Sequence, residues 1–240
     1  TLSADGRSVA YSSIATDLVS DDTNRIFDIF VTNLQSGQTD RVSVSSRGTP
    51  ANAHSFGTAL SADGRYVAFV SDATNLVRND TNAQPDVFVH DRQTHETRRV
   101  SVSSSGGQGS AQSFAPSISA DGRYVVFSSI SPLAPNDSPS DDVFLHDRAT
   151  GTTSLISAPP SGTPEFEASS DPVISANGRF VAFASDARNL VPGDTNTRRH
   201  VFVRDLQTGT ITRVSVNAQG VEGNHLSENP AISADGRFVA

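Results

Sequence analysis

Cysteine and lysine are both absent from this chain of 240 residues, so all 18 of its basic residues are arginine. The lack of cysteine excludes disulfide bonds, thiolate metal ligands and a cysteine nucleophile. The lack of lysine excludes Schiff-base chemistry and a P-loop lysine. No apolar run approaches the ~20 residues that a helix needs to cross a bilayer. The net charge of −8 argues against binding to nucleic acid or to an anionic membrane, where basic side chains supply the affinity.

The sequence also lacks the short motifs of common hydrolases. It contains neither a Gly-x-Ser-x-Gly nucleophile elbow nor a His-Glu-x-x-His zinc motif, although serine is abundant. We therefore predict no catalytic residue in this chain.

One pentapeptide, Ser-Ala-Asp-Gly-Arg, recurs at 3–7, 61–65, 119–123 and 233–237, and at 175–179 with Asn in place of Asp. Successive copies are 58, 58, 56 and 58 residues apart. Such a fixed period indicates a repeat architecture. Because Asp-Gly or Asn-Gly between two strand signals predicts a tight hairpin, we assign each copy to a type I′ turn with positive φ at both central residues.

Each repeat contains four short segments rich in Val, Phe, Tyr and Ile, and none has the period of a helix. The first segment precedes the pentapeptide, as at 115–119. The second and third are almost continuously apolar, as expected of strands covered on both faces. The fourth segment alternates apolar and polar residues, which is typical of an outer edge strand. We expect its arginines and serines to meet solvent. Predicted bounds are 65–71, 123–129 and 179–185 for the second strand, 28–33, 86–91, 142–147 and 200–205 for the third, and 40–46, 97–104 and 211–217 for the fourth.

This pattern predicts an all-β fold, a β-propeller of four-stranded antiparallel blades with about four blades and the start of a fifth. The unit Ser-Ala-Asp-Gly-Arg-Tyr-Val-Ala-Phe, followed by Asp-Val-Phe-Val-x-Asp and Thr-Gly, resembles the TolB-type, WD-like propeller repeat of bacterial proteins, and it recurs over essentially the whole chain. Because the chain begins and stops within a repeat, we expect an arc of a larger propeller, with a closed four-bladed ring as the alternative. The predicted blade units are 1–56, 57–114, 115–170 and 171–228, with a partial unit at 229–240.

A long loop separates the second and third strands of each repeat, and in two copies its acidic residues have a regular spacing. An Asp is followed by Asn two residues later and by Asp six residues later. Oxygen ligands in this order suit a hard cation such as Ca²⁺. The alternative is that the same side chains form Asx turns that cap the third strand. The candidate ligands are Asp22, Asn24, Asp28, Asp80, Asn82 and Asp86.

The segment that enters the first strand of each repeat supplies a second candidate site. Serines recur six residues before each pentapeptide from the second onward, and acidic residues and histidines lie beside them. In a propeller this segment crosses to the central channel, whose mouth is a common ligand site. The predicted channel-mouth residues are His54, Ser55, Ser113, Glu167, Ser169, Asp171, His225, Ser227 and Glu228.

Two other histidines, His90 and His146, occupy the same position in the third strand of their repeats. Since Thr32 and Arg204 stand there in the other copies, we expect this position to face solvent. His95, which replaces the glycine of a Thr-Gly turn, is predicted to be a solvated turn residue.

These observations predict a non-enzymatic TolB-like scaffold that binds a protein partner in an extracytoplasmic assembly, with no cofactor. The family that this repeat resembles includes periplasmic accessory proteins, the propeller domains of some peptidases and secreted proteins. One alternative is therefore the propeller domain of a larger hydrolase whose catalytic domain lies outside this chain. Another is a structural module stabilised by Ca²⁺. The absence of cysteine and the acidic balance agree with a periplasmic, secreted or cell-surface location.

Overall fold

The structure, a computed structural model, describes residues 1–135, 137, 140–160 and 167–240. These residues contain β-strands and no helix, which confirms the all-β prediction. The strands are β1 Ser8–Ser13, β2 Asp28–Asn33, β3 Thr39–Arg41, β4 Ser55–Leu60, β5 Tyr66–Ser71, β6 Asp86–Asp91, β7 Glu96–Arg99, β8 Ser113–Ile118, β9 Tyr124–Ser129, β10 Asp142–Asp147, β11 Thr152–Leu155, β12 Ser169–Ile174, β13 Phe180–Ser185, β14 His200–Asp205 and β15 Ile211–Arg213.

The described strands form four antiparallel sheets in which neighbours along the chain are neighbours in space. Sheet 1 contains β1–β3, sheet 2 β4–β7, sheet 3 β8–β11 and sheet 4 β12–β15. Sheets 2 to 4 each begin two residues before the corresponding predicted unit. Beyond sheet 4, Ala231 and Ala240 exchange backbone hydrogen bonds of 2.8 and 3.0 Å around the last pentapeptide. This hairpin lies within the segment predicted as a partial fifth unit.

The core lies between successive sheets. Among the described residues, separate clusters of buried apolar side chains join sheet 1 to sheet 2, sheet 2 to sheet 3, and sheet 3 to sheet 4. Phe rings on the two central strands stack within a sheet, as Phe69 and Phe88 do with centroids 5.9 Å apart. The order of contacts therefore describes an open arc of propeller blades, with both faces of the central strands covered as their continuous apolar sequence predicts.

The pentapeptide turns differ from the predicted type I′ geometry. Of the residues in the second copy, only Gly64 has positive φ, at 69°. Its N–H donates to the carbonyl of Ser61 at 2.9 Å, and the Ser61 hydroxyl donates to the Asp63 carboxylate at 2.6 Å. The type I′ assignment was wrong because glycine occupies the last position of a type I turn, where a bulge needs the left-handed conformation.

Successive turns also bind one another. The Ala4 N–H donates to the Ala62 carbonyl, Ala62 donates to Ala120, and Ala120 donates to Ala176, each at 3.0 Å. The first three pentapeptides are thus both hairpins within their sheets and backbone links to the next sheet.

The strands β3, β7 and β15 are shorter than the segments predicted for them at 40–46, 97–104 and 211–217. In sheet 2, the Ser101 hydroxyl accepts the N–H of Val87 at 3.0 Å and donates to Asp86 at 2.6 Å. This N–H would otherwise continue the ladder between β6 and β7. The serine hydroxyl therefore ends the strand at Arg99 instead of residue 104.

Candidate functional site

The long connections of all four sheets lie at one end of the strands. Neighbouring strands are antiparallel, so the second and fourth strands of a repeat end at the same edge of the sheet. This edge carries the loop from the second to the third strand and the crossing from the fourth strand to the next sheet. We call this the loop end. The opposite side, with the pentapeptides and the tight turns between third and fourth strands, is the turn end. The predicted metal and channel-mouth residues all belong to the loop end by topology.

An arginine of the fourth strand lies among the loop carboxylates of sheet 2. The Arg99 side chain is 9% exposed, and its Nη1 is 3.3 Å from Asp80 Oδ1 and 3.0 Å from Asp86 Oδ2. In sheet 1, Arg41 is 4% exposed and its Nη1 is 3.5 Å from Asp22. The expectation that these arginines meet solvent was wrong, because each turns inward to the acidic loop of its own sheet.

The arginine compensates a buried negative charge. Burial raises the pKa of Asp80 and of Asp86, and the neighbouring Arg99 guanidinium opposes that rise. Removing carboxylates from water is unfavourable unless they gain a counter-charge and hydrogen bonds. The sheet thus supplies internally the positive charge that the calcium hypothesis assigns to an ion.

The asparagines of the predicted metal loops serve the loops themselves. Asn24 Oδ1 accepts the N–H of Ile26 at 3.1 Å, and its amide donates to Asp28 Oδ2 at 2.8 Å. Asn82 Oδ1 likewise accepts the N–H of Gln84 at 3.1 Å, and its amide donates to the carbonyl of Gly109, in the crossing after β7, at 2.9 Å. These contacts agree with the Asx-turn alternative, and Ca²⁺ binding at these two loops stays a prediction. Residues 136, 138 and 139 of the third copy lie outside the described residues.

Three of the predicted channel-mouth serines are inside their sheets. Ser55, Ser113 and Ser169 are at most 1% exposed, and each hydroxyl pairs at 2.8–2.9 Å with the serine that ends the neighbouring strand. The structure thus places these hydroxyls away from solvent.

The other predicted residues of the mouth lie nearer the surface. His54 is exposed, and its Nδ1 accepts the N–H of Phe27 at 3.0 Å. Ser227 is half-buried and its N–H donates to the Arg199 carbonyl at 2.9 Å. Three further predicted residues have exposed side chains, namely Glu167, His225 and Glu228.

Asp171 lies at a bulge in β12, the first and innermost strand of sheet 4. It has φ of 57°, and the equivalent Ala115 and Asn229 are also left-handed, at 51° and 53°. A left-handed conformation is unfavourable for residues with a Cβ. Nearby, the Arg199 guanidinium contacts Asp186 at 2.7 Å and lies 4.0 Å from Asp171. The structure therefore brings one predicted residue of the mouth to an arginine that sequence reasoning did not single out.

The histidines of the third strands are buried, contrary to prediction. His90 is 3% and His146 7% exposed, and each Nδ1 lies 2.9 Å from a threonine Oγ1 of the adjacent strand. Burial lowers the pKa of His90 to about 4. The position accepts Thr, His or Arg because a polar partner is available there, and not because it faces solvent. His95 is an exposed turn residue, with φ of 60°.

The charges of the described residues are distributed unequally between the two ends. By strand topology, 16 carboxylates and nine arginines belong to the loop end, whereas nine of each belong to the turn end. The loop end therefore carries a net charge of −7 and the turn end is neutral. The internal arginines reduce the negative charge of the loops without cancelling it.

No family profile matches the chain, and no curated protein matches its sequence. Among solved structures, TolB from Acinetobacter baumannii is similar with a TM-score of 0.57 and 18% identity, over 99% of this chain and 46% of that protein. The putative TolB from Agrobacterium tumefaciens gives 0.58 and 17%, over 99% of this chain and 71% of that one. The fold is that of a TolB-type β-propeller. This chain spans less than half of the A. baumannii protein.

The same fold also occurs in a peptidase. Dipeptidyl peptidase 4 from Porphyromonas gingivalis is similar with a TM-score of 0.52 and 14% identity, over 97% of this chain and 33% of that protein. The TolB-type fold is thus shared by proteins with different roles, and the site must decide the function. Within the described ranges of the chain, no helix is both long and apolar enough to cross a membrane.

Sequence reasoning missed the arginines that organise the loop end, although a signal for them exists. Arg41, Arg99 and Arg213 each stand 13 residues after the first residue of the third strand, and Leu155 stands there in the third repeat. An arginine at a fixed offset from the aspartate that begins the third strand indicates an ion pair in the first and second repeats.

Proposed function

We propose that this chain belongs to a non-enzymatic propeller scaffold whose loop end binds a positively charged protein partner outside the cytoplasm. The observation that supports it is the concentration of the net negative charge at the loop end. A surface of one sign attracts an oppositely charged partner over about 8 Å at physiological salt and raises the rate of association.

Three acids of the loop end are the first contacts for such a partner. Glu167 and Glu228 are exposed and Asp72 is half-buried, and all three lie in segments that enter or leave the inner strands. Their carboxylates differ from Asp80 and Asp86, with which an internal arginine already pairs. A cationic partner would therefore pair with the former group and leave the structural ion pairs intact.

The proposal is tested by measuring the affinity for a labelled oligoarginine peptide in a triple variant, Asp72→Asn, Glu167→Gln and Glu228→Gln. We expect tight binding at low salt, weakening as NaCl rises from about 50 to about 200 mM. We also expect the triple variant to bind at least about tenfold more weakly than the unmodified chain.

A matched control removes three acids from the turn end through Asp5→Asn, Glu96→Gln and Asp235→Asn. Asparagine at the pentapeptide position is compatible with the fold, because Asn177 already stands there. The control should bind the peptide as the unmodified chain does. Equal losses in both triple variants would refute a loop-end partner site. The proposed location is tested separately by fractionating cells that produce the protein.

A further inference from the structure

The loop end of sheet 4 holds a set of side chains that differs from those of the other repeats. Asp194 lies in the loop before β14, His200 begins β14, and Glu222 lies in the crossing after β15. One ligand atom from each lies within 4.8 Å of the others. His200 is fully buried, and the side chains of Asp194 and Glu222 are 2% and 14% exposed.

Comparison of the repeats shows what is specific to this one. At the position of His200 the other three repeats have Asp, and at the position of Glu222 the second repeat has Gln108. The second repeat therefore offers oxygen atoms only, whereas the fourth combines an imidazole with two carboxylates. Zinc prefers such a mixed set, while Ca²⁺ prefers oxygen ligands alone.

One buried carboxylate oxygen of the cluster is held by an ion pair alone. Asp194 Oδ1 receives no aligned hydrogen bond, although Arg213 Nη1 is 3.2 Å away. Arg213 Nη1 lies closer to Glu222 Oε2, at 2.6 Å. Arg213 is thus the resident counter-charge of this cluster and the competitor of any cation.

His200 is oriented for coordination. Its Nδ1 lies 3.0 Å from the Ser215 hydroxyl, and its Nε2 points toward Glu222 Oε2 at 3.9 Å and Asn196 Oδ1 at 3.2 Å. Because Asn196 Oδ1 can only accept, Nε2–H donates to it in the metal-free protein. A metal at Nε2 replaces this hydrogen bond and selects the tautomer in which Nδ1–H donates to Ser215, as in many zinc sites where an oxygen orients the histidine.

We propose that Asp194, His200 and Glu222 form a binding site for a zinc-class divalent cation, which displaces the guanidinium of Arg213. Tetrahedral zinc ligands lie roughly 3.3 Å apart, whereas the present ligand atoms lie within 4.8 Å of one another. The loop before β14 and the crossing after β15 therefore move together by about 1 Å when the ion binds. Water supplies the fourth ligand. This proposal does not rest on the proposed partner binding, although both sites lie at the loop end.

The test uses substitutions that recreate the other repeats. Calorimetric titration of the full chain with ZnCl₂ near pH 7 should give a dissociation constant below about 100 μM. His200→Asp and Glu222→Gln install the residues of the second repeat and should each weaken binding at least about tenfold. His225→Asn removes a nearby exposed histidine and should leave binding unchanged.

The decisive variant is Arg213→Leu, which installs the residue that the third repeat has as Leu155. Because it removes the competing positive charge, it should tighten zinc binding at least about tenfold and increase the rise in melting temperature on adding ZnCl₂. The proposal is overturned if the unmodified chain does not bind ZnCl₂. It is also overturned if His200→Asp and Glu222→Gln bind like the unmodified chain, or if folded Arg213→Leu binds more weakly.

Discussion

The third pentapeptide glycine offers the sharpest test of how the sheets are joined. Gly122 has φ of 72°, and an added Cβ would lie 2.1 Å from Cδ2 of Tyr66 in the preceding sheet. Alanine there adds about 1 kcal/mol of left-handed backbone strain and a further 1–3 kcal/mol, roughly, from overpacking. We therefore expect Gly122→Ala to lower the free energy of unfolding by about 2–4 kcal/mol.

Gly6 is the matched control, because it occupies the same turn position with φ of 69° and an added Cβ would meet nothing within 4 Å. Gly6→Ala should therefore cost only the backbone strain, about 1 kcal/mol. Urea unfolding measures both variants, and in a Tyr66→Ala background the cost of Gly122→Ala should fall to that of the control. If both alanines cost the same in the unmodified chain, Tyr66 does not clamp the turn and this explanation of sheet packing fails.

Three further predictions concern charge. Arg99→Leu should lower the free energy of unfolding by about 3 kcal/mol at pH 7, because Asp80 loses its counter-charge; a loss near zero in denaturant titration would show that water compensates the carboxylate. Burial holds the pKa of His90 at about 4 in the folded protein, below its unfolded value. Neutral His90 therefore contributes stability above about pH 6.5, and this stability is lost as the pH falls towards 4. If NMR shows that the His90 imidazole titrates near pH 6.5, the ring is not buried as described. The Arg123 guanidinium holds the pKa of Asp147 at about 2, so Arg123→Gln should cost more stability at pH 7 than at pH 2, and a pH-independent loss would exclude this pair as the cause.

The repeats were readable because apolar patterning and turn residues act locally. The third strands begin and end at the predicted residues, as β6 does at Asp86 and Asp91, since continuous apolar runs flanked by polar residues leave little freedom of register. The turn type was not predictable from Asp-Gly alone. It depends on the Ser61 hydroxyl, which accepts the N–H of Tyr66 at 2.9 Å and makes the type I turn with a bulge favourable.

The site was harder to predict because its partners come from different segments. The acidic loops were recognised from their spacing, but the guanidinium of Arg99 reaches them only after β7 pairs with β6. Likewise, the burial of Ser113 is a consequence of its pairing with Ser129 across two strands. Local sequence shows which side chains are polar, whereas the sheet decides which of them meet each other and which meet solvent.

The central claim, that the loop end receives a cationic partner, is tested most directly by hydrogen–deuterium exchange of the full chain with and without the oligoarginine peptide. We expect slower exchange on binding in the loop segments 72–85 and 186–199, and unchanged exchange in the pentapeptide turns at 61–65 and 119–123. Slower exchange confined to the turns, or none at either end at peptide concentrations that saturate binding, would contradict the claim.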